Sequence, residues 1–231
     1  MHSEFIKGIR HGIPIALGYF SVSFGFGIMA VRAGLSPLTA LMISATNLTS
    51  AGQAAGVSVI ASGGSLVEMA LTQLTINIRY ALMGISLSQK LGDKFTFLHR
   101  IFAAYGITDE IFAVASSQPH NLSPSYMYGL ILAGFSGWTS GTIFGALAGS
   151  VLPQMFTDAL GIMLYGMFLA IILPTARKSL KVLFVIAAAA AISILFRYVF
   201  TEISAGFSVI ISAVAASAFA AAIFPLKEEK E

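Results

Sequence analysis

Cysteine is absent from the 231 residues, so disulfides and thiolate metal sites are excluded and the redox compartment is left open. Charge is scarce as well. Only 10% of residues are Asp, Glu, Lys or Arg, where an ordinary soluble domain carries roughly a quarter. A soluble chain of this size has too little charge here to cover its surface. Motifs for chemistry are also missing: there is no His-Glu zinc spacing, no Walker loop and no nucleophile elbow, and the four histidines sit near or in loops. These gaps argue against an enzyme, a metal site or any cofactor. The formal charge of +3 is modest and its basic residues fall between apolar runs, which reads as a topology signal and not as a nucleic-acid patch.

What the chain has instead is apolar sequence, 57% of it. The runs lie at approximately 12–31, 36–62, 65–88, 101–118, 124–152, 158–174, 180–196 and 203–224, most of them near the ~20 residues that span a bilayer as helix. The first run is too long for a signal-peptide core and no small-residue cleavage site follows, so a retained span is expected. Helix is the default in lipid, where backbone must satisfy its own hydrogen bonds. The reading is an all-α integral membrane protein with about eight hydrophobic helical segments, forming one transmembrane domain over 1–231. Local signals agree. Ser36-Pro37 and Ser123-Pro124 place a capping hydroxyl before a first-turn proline, and Ser65 with Glu68 has capping-box spacing.

Two runs do not read as plain spans. Residues 36–62 would make a helix of ~40 Å, longer than one upright crossing needs. Their middle carries Ser44, Thr46, Asn47, Thr49, Ser50 and Gln53, which suits a helix broken where it lines a cavity. Residues 101–118 hold Asp109 and Glu110 side by side in apolar surroundings. Leu35-Ser36-Pro37 recurs as Leu122-Ser123-Pro124, which suggests inverted three-segment repeats over 12–88 and 101–174, followed by a C-terminal helix pair over 180–224. Eight crossings put both termini in the cytoplasm but the loop with Lys90, Lys94 and Arg100 outside. Re-entrant segments at 36–62 and 101–118 bring that loop inside with Lys7, Arg10, Arg177, Lys178 and Lys181, which suits the positive-inside rule better and keeps both termini cytoplasmic. The repeat favours eight crossings, and that is the expectation carried forward.

Ionisable groups inside a bilayer cost several kcal/mol unless paired or hydrated, so each is a functional candidate. Glu68 reads as an exception, a cap residue at the membrane surface. Arg79 lies deep in its segment. At 100° per residue Glu68, Thr72, Thr75 and Arg79 share a stripe, while Gln73 and Asn77 take nearly the opposite face. Asp109 and Glu110 diverge by 100° on a helix, so one can pair with Arg79 while the other faces a cavity and takes up a proton. A purely structural salt bridge for Arg79 is the plain alternative. Gly134, Gly137, Gly141, Gly145 and Gly149 recur at roughly helical spacing, as residues that let helices approach closely.

Taken together, Gly12-Ile13-Pro14 with Gly18, Phe24-Gly25 and Gly27, then Ala51-Gly52-Gln53, then Asn77-Ile78-Arg79-Tyr80, then Thr108-Asp109-Glu110-Ile111-Phe112, resemble the AzlC family in order and spacing. The likeness covers about 12–174. It implies the large subunit of a two-component permease in the bacterial inner membrane, exporting valine, leucine and isoleucine, with methionine a further candidate. It also implies a small hydrophobic partner subunit of the AzlD type. Two departures, Ala54 where family members often have an aromatic and Tyr80 where many have His, fall where contact with substrate is expected.

On that basis the candidate substrate-binding residues are Ala51, Gly52, Gln53, Asn77 and Arg79. Amides freed at Ala51 and Gly52 would take the substrate carboxylate at a half-helix N-terminus, and Gln53 and Asn77 would add directional hydrogen bonds. Asp109 and Glu110 are the candidate proton-coupling pair. A channel-like pore and a non-transporting assembly subunit are the alternatives.

Overall fold

A computed structural model describes residues 2–151, 153, 155, 166, 169, 172–174 and 176–224. It is built from helices: α1 (His2–Arg32), α2 (Pro37–Thr46), α3 (Ala51–Ala61), α4 (Leu66–Ser88), α5 (Phe97–Tyr105), α6 (Asp109–Ser116), α7 (Pro124–Val151), α8 (Leu180–Tyr198) and α9 (Ala205–Ile223). Four of them, α1, α7, α8 and α9, are long and apolar enough to cross a membrane. The all-α membrane architecture expected from composition is therefore present. Of the expected runs, 158–174 lies largely outside the described residues.

The helix ends follow the local chemistry. Ser36 Oγ accepts from Thr39 N–H (3.0 Å), Ser123 Oγ from Tyr126 N–H (3.2 Å) and Ser65 Oγ from Glu68 N–H (3.1 Å). At the other ends Gly34 and Gly63 take positive φ (87° and 68°). Each closes a Schellman motif, Leu35 N–H to Ala30 C=O with Gly34 N–H to Val31 C=O, and Gly64 N–H to Val59 C=O with Gly63 N–H to Ile60 C=O.

Helix contacts divide the chain into two compact units. The first contains 1–54 and 77–164. Its spine is the parallel pair α1 and α7, which touch along their whole lengths. Lipid offers no hydrophobic drive for helices to associate, so close van der Waals approach has to hold them. Glycine permits it. A Cβ on Gly137 would sit 2.6 Å from Ala16 Cα, and one on Gly12 2.6 Å from Ala133 Cβ. Gly141 and Gly145 meet the backbone at Phe20 and Phe24 in the same way. The small-residue spacing in 134–149 is thus a packing surface, as its sequence suggests. Phe26, Ile28, Ile111, Met127 and Leu130 are fully buried.

The run 36–62 is broken as expected, between α2 and α3 at 47–50. The run 101–118 departs from the expectation of a crossing. It forms two helices of nine and eight residues, ~14 and ~12 Å long, against a hydrocarbon core of about 30 Å. Both ends of this α5–α6 hairpin also lie at one end of the unit. Lys90 Nζ donates to Ser116 C=O and to Gln118 C=O (2.7 Å), and Gly92 N–H donates to Leu122 C=O (3.0 Å). His11 Nδ1 lies 2.9 Å from Tyr126 Oη, and Glu4 and Lys7 line a cleft with Gln118 and His120. The start of α1, the 89–96 loop and the start of α7 are therefore neighbours. The eight-crossing expectation is corrected for this segment, because each half-helix is too short and the chain returns to the side it left. The suggested repeat sets continuous α1 against broken α5–α6, and broken α2–α3 against continuous α7.

The second unit contains 55–76 and 165–231. Here α8 and α9 pack through Phe184, whose ring lies 6.0 Å from that of Phe219 and 5.7 Å from that of Phe224. Glu68 corrects a second expectation. Its amide is capped by Ser65, but its side chain is only 3% exposed and accepts from Ser204 Oγ and from Gly206 N–H (2.9 Å) at the start of α9. A carboxylate satisfies the free amides of a neighbouring helix better than those of its own turn when that helix end is buried beside it.

Candidate functional site

Helix α4 presents Leu71, Leu74, Ile78, Leu82 and Ile85 outward, at spacings of three and four residues, which is one apolar face. Arg79 falls off that stripe. It sits nine residues before the end of α4, ~14 Å along the axis. Asp109 and Glu110 stand at the tip of the α5–α6 hairpin, a comparable ~12 Å from its base. Similar depth brings them together. Arg79 Nη1 bonds to Asp109 Oδ2, with the side chains about a third exposed (39% and 34%). Arg79 Nη2 donates to Tyr80 Oη (3.1 Å), and the guanidinium carbon lies 4.8 Å from that ring's centroid.

The hairpin breaks where Gly106 abuts Ile131, with no room for a side chain, and restarts at Thr108, whose Oγ1 accepts from Ile111 N–H (3.4 Å). The first turn of α6 then carries both acids, where the positive end of the helix dipole favours anions. The two acids take different partners. Glu110 Oε2 lies 2.5 Å from the hydroxyl of Tyr19 on α1, and that hydroxyl lies 2.5 Å from Thr108 Oγ1. A phenol has one proton. It donates to the carboxylate and accepts from Thr108, whose oxygen still receives the Ile111 amide.

A second polar line lies nearby in the same unit. Gln53 is 1% exposed and donates through Nε2 to Ser44 Oγ (2.9 Å). Ser44 Oγ is 2.7 Å from Thr142 Oγ1, which donates to Trp138 C=O (3.0 Å). Because Thr142 gives its proton to that carbonyl, Ser44 must donate to Thr142, and the line runs in one direction. Gln53 Oε1 is buried with no partner among the described residues. The edge-on contact of the Tyr19 and Trp138 rings, 5.3 Å between centroids, joins the two lines.

Of the residues singled out in the sequence, Arg79, Asp109 and Glu110 form one cluster and Gln53 belongs to the adjoining line. Ala51 and Gly52 open α3, where Gly52 N–H donates to Thr49 C=O (2.7 Å), so that amide is already occupied. Asn77 is half-buried on α4, two residues before Arg79. Tyr19, Thr108, Ser44, Thr142 and Trp138 were not legible as site residues. Thr108 adjoins the acid pair in sequence. Tyr19 gives no signal, because an aromatic residue in a membrane helix is ordinary.

Charges on two segments, meeting at a helix break inside an apolar helical domain, define a multi-pass membrane protein with a polar interior. Comparison makes this specific: the AzlC family, described as AzlC protein, matches residues 14–152. Inner membrane protein YgaZ of Escherichia coli (strain K12) is 32% identical over 183 residues, 76% of this chain and 75% of that protein. An "Uncharacterized membrane protein" of Archaeoglobus fulgidus is 32% identical over 175 residues, covering 75% and 76%. The chain belongs to the AzlC family. No solved structure matches it.

Proposed function

We propose that this protein is the large subunit of a two-component permease that exports branched-chain amino acids across the bacterial inner membrane in exchange for protons. The observation that carries the reading is the Arg79–Asp109–Glu110 cluster, ionisable groups assembled from two segments at similar depth in an apolar helical domain. Such groups are costly in a bilayer and mark solute or proton paths. Gln53 supports it: its buried Oε1 lacks a donor, and an amino acid's ammonium group supplies one. The substrate carboxylate competes with Asp109 for Arg79, the one guanidinium in the cluster. Ala51, Gly52 and Asn77 flank these groups and shape the approach. An aliphatic side chain is then selected only shallowly, at ~1–3 kcal/mol per methylene, which gives broad specificity. The partner is a small hydrophobic subunit of the AzlD type. Basic residues Lys7, Arg10, Lys90, Lys94 and Arg100 in the N-terminal segment and the 89–100 stretch support a cytoplasmic placement of that end, and the proposal puts both termini there.

The test is uptake of labelled leucine into inverted vesicles, with and without the partner subunit and an imposed proton gradient. Uptake should follow the gradient and fall to background in Asp109→Asn and Glu110→Gln. Uptake that ignores the gradient, or survives in both variants, overturns the proposal.

A further inference from the structure

The two adjacent acids differ in what their partners can do, and that difference separates their roles. Asp109 faces a guanidinium, which has donors only and stays charged. A proton on Oδ2 would set an O–H against N–H groups that cannot accept it. The contact with Arg79 is therefore one that Oδ2 makes as an acceptor. Glu110 faces a hydroxyl, which both donates and accepts. We infer that Glu110 is the proton-carrying acid of this pair and that Tyr19 is its positioning residue, serving the charged and the neutral form of the carboxyl in turn. The inference rests on the proposed coupling and names the group that performs it.

The protons balance without any heavy atom moving. In the charged state Thr108 O–H donates to Tyr19 Oη, and Tyr19 O–H donates to Glu110 Oε2. One proton taken up on Oε2 makes Glu110 the donor to Tyr19 Oη. The Tyr19 hydroxyl then rotates and gives its hydrogen bond to Thr108 Oγ1, and the Thr108 hydroxyl turns away. Loss of the proton reverses each rotation. Among the described residues no other group supplies Glu110 with a competing partner. On α4 the facing groups are Arg79, engaged by Asp109, and Tyr80, which receives Arg79 Nη2. On α6 the charged neighbour is Asp109 itself. On α1 it is Tyr19, and the α7 residues packed against Tyr19, Gly134 and Trp138, do not titrate.

Infrared difference spectroscopy on the purified full-length protein, between mildly alkaline and mildly acid pH, reads protonated carboxyls without any transport. The wild type should show a carboxylic C=O band growing on acidification. The band should vanish in Glu110→Gln and persist in Asp109→Asn. In Tyr19→Phe it should persist at a shifted frequency, because its hydrogen bond is gone. Circular dichroism and a monodisperse elution profile establish that each variant is folded. A band kept in Glu110→Gln, lost in Asp109→Asn, or absent from the wild type overturns the assignment, and an unshifted band in Tyr19→Phe overturns the role of Tyr19. Since no substrate is present, export can fail while this result stands, and the reverse.

Discussion

The α1–α7 pair and the 77–116 stretch solve opposite problems in one unit. The pair is continuous and glycine-seamed along its length, and at Gly137 and Gly145 its contacts are backbone against backbone. The α5–α6 hairpin is interrupted at mid-depth, and its break exposes acids to a cation on α4. One region gains close helix approach from glycines along its interface, with ring contacts such as Tyr19–Trp138 beside them. The other gains chemistry from side chains that only a rigid frame can hold at fixed depth. Tyr19 connects them: it belongs to the continuous helix yet bonds to the acid of the broken one.

Breaking the frame should cost most. Gly137→Val would force a side chain into the Ala16 backbone, where an ideal Cβ is already 2.6 Å away. Overpacking of this kind costs ~1–3 kcal/mol or more, and backbone atoms cannot yield as side chains do. Thermal unfolding in detergent should show a drop of several degrees or a failure to accumulate. Gly18→Ala, with no atom within 4 Å of its Cβ, should not lower the melting temperature and so locate the effect in the seam.

A middle effect is expected at the ion pair. Arg79→Gln removes a charge-assisted bond and leaves Asp109 uncompensated, a loss of ~1.5–3 kcal/mol, lessened by the partial exposure of the pair. Adding Asp109→Asn should recover most of the stability but none of the export. A double variant no more stable than Arg79→Gln alone would show that the pair is not the partnership that matters. The smallest effect belongs to the hairpin's restart. Thr108→Val deletes the cap of α6, worth ~1 kcal/mol. The melting temperature should fall slightly, and an unchanged value would show that the tertiary contacts of α6 hold its first turn without the cap.

Much of the scaffold was readable from residue order, for reasons that are local or additive. The capping serines at 36, 65 and 123 act within their own turns. The break in 36–62 follows from polar residues that lipid cannot accommodate. The family likeness rested on short motifs in sequence order. Glu68 was misread because the same capping spacing holds whether the carboxylate meets water or the end of another helix.

Composition and spacing alone thus determined that this is an all-α membrane protein, where the helices at Pro37, Leu66 and Pro124 begin, and that Arg79, Asp109 and Glu110 had to find partners. The tertiary structure alone decided that 101–118 turns back on itself, and that Arg79 takes Asp109 while Glu110 takes Tyr19, a residue 91 positions away. Adjacent carboxylates on one helix look identical in sequence. What distinguishes them is whether the atom opposite can only donate a hydrogen bond or can also accept one, and that is settled by packing between segments far apart in the chain.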